Sequence, residues 1–171
     1  MLTLTPYYYD DLGNRYNAIS GYALNLFRRH YKDNAIVEEE IFYYIYAIFH
    51  HKGYLEKYKN SLAKEAPRIA LSEDFKELSV LGKELAELHL NYENGEMHKS
   101  VKHNLLESAG MEGYYDVVKM TKKGDRIIPN HYAGGKYIFE LLCRVITLSV
   151  KSVDLIEKIS EKRFEWAKIV S

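Results

Sequence analysis

The sequence predicts a mainly helical fold with a small β element, an α+β arrangement, and three observations carry that reading. Residues 37–51 are apolar nearly all round, as a buried central helix is. Phe75, Leu78, Leu81, Leu85, Leu88 and Tyr92 recur at steps of three and four, the stripe of a long amphipathic helix. Ile138, Leu141, Leu142, Val145, Leu148, Leu155, Ile156 and Ile159 form a second stripe, so two long helices are expected to pack the central one.

The β element is placed late in the chain. Tyr114 to Met120 and Arg126 to Ile128 read as two strands around Lys122-Lys123-Gly124-Asp125, a hairpin with basic residues at its tip. Earlier, Leu4 to Tyr9 reads as extended and ends in a turn at residues 10–14, where Gly13 and Asn14 tolerate positive φ. Ser20 caps a helix reaching about His30. Glu38, Glu39 and Glu40 open the central helix, where acids favour the dipole. Gly53 separates it from a helix, Tyr54 to about Ala66, stopped by Pro67. Ser72 caps the amphipathic helix, which ends near Asn94-Gly95; a turn of helix is expected at Val101 to Ser108. The closing helix is expected to continue towards Trp166.

One domain over 1–171 results, with a lead-in at 1–20, a helical core at 21–95, a connector and hairpin at 96–135 and a closing helix at 136–171. The length is enough to bury a real core. A hydrophobic share of 47% with 28% charged residues argues against disorder. Net charge is zero, so no global field draws the chain to nucleic acid or an anionic membrane, and any such contact must be local. The single Cys143 excludes an internal disulfide and a cysteine-based zinc site, and fits a reducing, cytoplasmic setting. No run approaches the roughly 18–20 apolar residues of a membrane span.

Several motifs together resemble one family. The run Ile41-Phe42-Tyr43-Tyr44-Ile45-Tyr46-Ala47-Ile48-Phe49-His50, then Tyr54-Leu55-Glu56-Lys57-Tyr58 and Pro67-Arg68-Ile69, resembles a signature stretch of type ISP restriction-modification enzymes. In those single chains a nuclease, a helicase-like motor and an adenine methyltransferase precede a C-terminal specificity domain. Leu81-Gly82-Lys83-Glu84-Leu85-Ala86-Glu87-Leu88-His89 is similar to the family's amphipathic helix. Tyr137, Leu141-Leu142 and Arg144-Val145-Ile146-Thr147-Leu148-Ser149 are similar to its closing helix, and Tyr7-Tyr8-Tyr9 with Gly13-Asn14-Arg15 to the segment entering the domain. The resemblance implies a DNA target-recognition module of a bacterial-type defence system, with duplex DNA as partner and a methyltransferase–helicase polypeptide as a second. Two departures from the family pattern, the lack of nuclease, motor and methyltransferase motifs and the short interval from Glu96 to Gly135, make a stand-alone chain with a shortened reader the expectation.

Catalytic motifs are missing. An adenine methyltransferase of this kind needs an Asn/Asp-Pro-Pro-Tyr/Phe loop, whereas Pro6, Pro67 and Pro129 are isolated. Gly134-Gly135-Lys136 fails as a phosphate-cradling loop, with Asn130 in place of the first Gly and Tyr137 in place of Ser or Thr. His50 and His51 are neighbours whose side chains diverge by about 100° on a helix, so they do not share a metal. His98 and His103 lack a nearby Cys. A non-catalytic chain without cofactor or metal is expected.

The candidate DNA-binding residues are Lys119, Lys122, Lys123, Arg126, Asn130, His131 and Lys136. Between Tyr114 and Lys136 the five basic residues outnumber Asp116 and Asp125 by three charges, and Tyr114, Tyr115 and Tyr132 interleave with them. Lys and Arg neutralise phosphates, while Arg and Asn also pair with base edges. A solvated hairpin is the plainer account of the same residues. A second cluster, Arg28, Arg29, His30 and Lys32, is more cheaply explained by the dipole at a helix C-terminus, with phosphate contact as the lesser alternative. Arg68 is expected to tie helices together through carbonyls. The rival functions are a protein-docking module for the methyltransferase and coupling region, and a decayed fragment.

Overall fold

A computed structural model describes residues 5–99, 119–120, 127–128 and 135–170, with side chains described for 5–99 and 140–164. The chain forms two compact units, Met1–Asn91 with Val150–Ser171, and Tyr92–Ser149. Helices dominate, and the described strands pair two by two, so the fold is mainly α with a small β element.

The first unit begins with a hairpin, β1 (Tyr7–Tyr9) against β2 (Arg15–Asn17), antiparallel with Tyr8 opposite Tyr16. The second of these strands is not among the sequence expectations. Its turn is built by Asp10, whose carboxylate accepts the Leu12 and Asn14 N–H groups, and by Gly13 at φ +83, the left-handed region where a Cβ is strained. These hydrogen bonds, chiefly those from Asn14, hold the Asp10 carboxyl below its usual range.

Helix α1 (Gly21–Tyr31) starts as expected, with the Ser20 hydroxyl accepting the Ala23 N–H. Helix α2 (Glu38–His50) comes next; the Glu40 carboxylate reaches back to the Val37 N–H at 3.0 Å. Its buried side chains are Ile41, Tyr44, Ala47 and Ile48, while Ile45 is half-buried and Phe49 exposed. The central helix therefore buries one stripe rather than its whole circumference. Gly53 does not separate it from helix α3 (Lys52–Leu62), because Gly53 lies inside the first turn. The break is His51, in extended conformation, which caps α3 by accepting the Tyr54 N–H on Nδ1.

Helix α4 (Phe75–Leu90) packs along α2. The seam is close because position 82 lacks a Cβ; one there would overlap the Tyr43 carbonyl oxygen. Ser79 Oγ donates to the Glu40 carbonyl at 2.9 Å across the same seam. Ser72 does not cap α4. Asp74 is the boundary residue, and Ser72 instead donates to the Arg163 carbonyl at 2.6 Å and accepts from the Asp74 N–H.

Two further strands lie outside the sequence expectations. β3 (Ile69–Leu71) pairs antiparallel with β6 (Glu165–Val170), with a bulge between Ala70 and Leu71. The closing helix α5 (Gly135–Ser160) consequently stops six residues before Trp166, and the chain returns as a strand. In its last part Ile159 joins the core, with Leu155 and Ile156 against it. Within the second unit α5 buries Cys143 and Thr147, while Val145, expected in the stripe, is exposed.

Tyrosines organise the first unit's core. Successive alternate carbonyls of the β3 segment each receive a hydroxyl from a different helix. Tyr54 of α3 donates to the Arg68 carbonyl at 2.8 Å, Tyr44 of α2 to Ala70 at 2.6 Å and Tyr31 of α1 to Ser72 at 2.7 Å. Alternate residues of a strand aim their backbone groups at one edge. Here β6 serves one edge of β3 and the tyrosines the other, so a largely buried strand keeps its polar groups satisfied.

Candidate functional site

The second unit contains the predicted hairpin in outline. β4 (Lys119–Met120) pairs antiparallel with β5 (Ile127–Ile128), Lys119 opposite Ile128 and Met120 opposite Ile127. The chain therefore reverses between Met120 and Ile127. Of the seven candidate residues, Lys119 lies on β4 and Lys136 in the first turn of α5. Lys122, Lys123, Arg126, Asn130 and His131 fall outside the described residues, as do the Val101–Ser108 turn and Tyr114 to Val118.

Lys136 occupies an end of α5 where no acidic side chain is present in the first turn. Nearer the unit's core, Arg144 is held rather than offered. Its Nε donates to the Gly95 carbonyl at 3.2 Å and its guanidinium lies 3.6 Å from Glu140, one turn away. Together with the His98 N–H on the Cys143 carbonyl, this binds the turn Tyr92–Asn94 and the residues after it to α5.

Cys143 is the chain's one thiol. It is buried, and burial pushes its pKa up, which suppresses the thiolate needed of a nucleophile.

A polar constellation in the first unit is absent from the sequence expectations. His89 Nδ1 lies 2.6 Å from the Tyr46 hydroxyl and Nε2 lies 3.1 Å from Ser152 Oγ. Burial raises the Tyr46 pKa, so its hydroxyl stays protonated and donates. His89 then carries its proton on Nε2 and donates to Ser152, a tautomer assigned from the network. Burial, and then the neighbouring His50, lower the His89 pKa, so the ring is neutral. The row of hydroxyl, imidazole and hydroxyl resembles catalytic order, but Ser152 is buried. What it accomplishes is a bridge between α2, α4 and α5.

His51 does similar work. With Nδ1 accepting from Tyr54, Nε2 donates to the Lys162 carbonyl at 3.1 Å, and the ring meets Phe164 edge-on. Neither His50 nor His51 belongs to a metal-holding group among the described residues. Arg68 differs from expectation: its guanidinium is exposed and pairs with Glu65 at 3.6 Å, while its carbonyl, not its side chain, joins the tyrosine row. Among the described residues no helix is long and apolar enough to cross a membrane.

The fold and this site define a class: a mainly helical α+β domain that carries a short antiparallel hairpin ahead of its closing helix. The chain belongs to the family of Type ISP C-terminal specificity domains, whose description matches residues 3–141. Solved structures agree. The cryo-EM structure of the DrdV–DNA complex shares the fold at TM-score 0.70 and 24% identity, over 90% of this chain and 21% of that one. The ATP-dependent Type ISP restriction-modification enzyme LlaBIII bound to DNA is similar at TM-score 0.57 and 28% identity, over 93% of this chain and 14% of that one. A nuclease-deletion mutant of the Type ISP restriction-modification enzyme LlaGI, in complex with a DNA substrate mimic, is similar at TM-score 0.52 and 27% identity, over 76% and 14%. The chain thus spans a fifth or less of the length of the two Type ISP enzymes. No curated protein matches it.

Proposed function

We propose that the chain is a DNA target-recognition module of a restriction-modification system, positioning duplex DNA for an adenine methyltransferase and motor supplied elsewhere. One observation carries the reading: the match to a specificity-domain family runs through the helical core, the hairpin and the start of α5. Two relatives at 27–28% identity are DNA complexes, which supports duplex DNA as the ligand here.

In this reading residues 1–171 act as one specificity domain in the cytoplasm. Lys119, Lys122, Lys123, Arg126 and Lys136 neutralise phosphates, and Arg126, Asn130 and His131 approach base edges. The chain itself catalyses nothing; a methyltransferase binding such DNA must still extrude its target adenine. The comparisons lend no support to the rival docking role.

The test replaces Lys122, Lys123 and Arg126 together with Ala and measures fluorescence anisotropy of labelled duplex against salt. Affinity should fall and the log–log salt slope should flatten by roughly 0.9 per lost phosphate contact. Helical circular dichroism should be unchanged. A triple variant that binds like the parent removes the hairpin from the reading surface.

A further inference from the structure

The first unit carries a basic concavity that the hairpin reading does not use. On α1, Tyr22, Asn25 and Arg29 stand at i, i+3 and i+7 and so share one face, and all three are exposed. The chain leaves α1 through Lys32 in the left-handed conformation, φ 53. Beyond that turn Asn34 comes alongside Arg28 and Arg29. Tyr22, Asn25, Arg28, Arg29 and Asn34 line one open cleft. Two guanidiniums, two carboxamides and a phenol all offer hydrogen-bond donors, and no carboxylate is among them.

Helix capping accounts for part of this cluster and no more. Arg28 Nε donates to the Ile36 carbonyl at 2.9 Å, which fixes that side chain in the cleft wall. The Arg28 carbonyl at the helix end is already satisfied by the backbone N–H groups of Lys32 and Asp33. Asp33, the acid closest in sequence, accepts from the Ala35 N–H and pairs with Lys76 at 3.2 Å. Among the described residues neither Arg29 nor Lys32 has an ion-pair partner. Arg28 and Arg29 outweigh the helix-end charge of about half a unit, and Asp33, whose carboxylate also interacts with Arg28, is paired with Lys76.

We propose that this cleft is a second phosphate-contacting site for duplex DNA, made of residues outside the hairpin. The inference rests on the DNA-recognition reading above and adds to it a sequence-independent anchor. Backbone phosphates are contacted by Arg and Lys together with Asn and Tyr side chains, which is the donor set gathered here. The guanidinium fork of Arg29 suits two oxygens of one phosphate. A shallow cleft on a helix face meets a sugar–phosphate ridge better than it reaches into a groove.

The test uses the variant Arg29→Gln of the full chain, checked by circular dichroism and melting temperature, and titrated with short duplexes of random sequence over a salt series. The Kd should rise a few-fold at low salt, and the salt slope should fall by about one. The loss should be the same for unrelated duplexes. A variant matching the parent in Kd and slope overturns the inference and leaves the DNA reading standing. A parent that binds no duplex at the lowest salt overturns the DNA reading itself and the anchor with it. Inorganic phosphate should compete no better than chloride at matched ionic strength; stronger competition, abolished in the variant, would mark a free-anion site and overturn the assignment to DNA.

Discussion

The Tyr44 hydroxyl donates to the Ala70 carbonyl at 2.6 Å, and both residues are wholly buried. Burial pushes the Tyr44 pKa far up, so this hydroxyl remains a donor at any pH at which the protein is folded. Tyr44→Phe keeps the ring among Phe27 and Phe75 and strands one carbonyl without water. The expected loss is about 1–3 kcal/mol, the cost of an unsatisfied buried acceptor. At this chain length that lowers the melting temperature by about 2–4 °C per kcal/mol. A variant that melts with the parent would mean that the carbonyl finds another donor.

Gly82 tests the α2–α4 seam. Helix propensity alone favours Ala over Gly by about 1 kcal/mol, so an open position would be stabilised by Gly82→Ala. Here the added Cβ overlaps the Tyr43 carbonyl, which is backbone and cannot swing aside. The two helices must separate, at a cost of about 1–3 kcal/mol. Chemical denaturation decides between the signs: a stabilised Gly82→Ala would show that the helices do not pack so closely.

How much of the fold is legible in the sequence depends on the kind of interaction. The stripe of Phe75, Leu78, Leu81 and Leu85 is local periodicity, and α4 buries those residues. Ser20 as a cap is equally local. β3 and β6 are three and six residues long and separated by some ninety others, so their pairing leaves no mark in a short window. Turn chemistry cannot reveal that Val170 lies opposite Ile69. The abundance of tyrosine is visible, but its use is not: Tyr31, Tyr44 and Tyr54 converge on one strand only after three helices have docked. For the site, the antiparallel pairing expected on either side of Lys122-Lys123-Gly124-Asp125 is present between Lys119–Met120 and Ile127–Ile128, while those four residues lie outside the described ones. In sequence the α1 cluster reads as dipole compensation, because the return of Asn34 past the left-handed Lys32 is a tertiary fact.

A buried histidine, His51, and a half-buried one, His89, set the acid side of the stability profile. Burial lowers the pKa of both His51 and His89 below 6.5. The unfolded chain then binds more protons than the folded one between those lowered values and 6.5. Stability should therefore be complete above about pH 6.5 and decline as pH falls below it. Asp10 and Asp33, whose pKa values are lowered from 3.8, add a further loss only in more acid solution. In urea melts, His51→Gln should flatten the upper part of this decline. A midpoint constant between pH 7 and pH 5 would show that neither imidazole is neutral through burial.

The expectation that the chain catalyses nothing can be tested without knowing the target site. Methyl transfer to adenine in this kind of enzyme uses a loop with two successive prolines to hold the extruded base, and all three prolines here are isolated. Nucleotide hydrolysis uses a glycine loop ending in Lys followed by Ser or Thr, and Tyr137 comes after Lys136. The one thiol is buried with a raised pKa, and Ser152, beside an imidazole, is buried too. Purified protein with duplex DNA should transfer no labelled methyl group from S-adenosylmethionine and release no phosphate from ATP. Adding a methyltransferase polypeptide of the same system should restore methyl transfer only if the chain positions DNA for it. Turnover by the chain alone that survives repurification and is lost in His89→Ala would overturn the structural reading of the Tyr46–His89–Ser152 row and make it an active site.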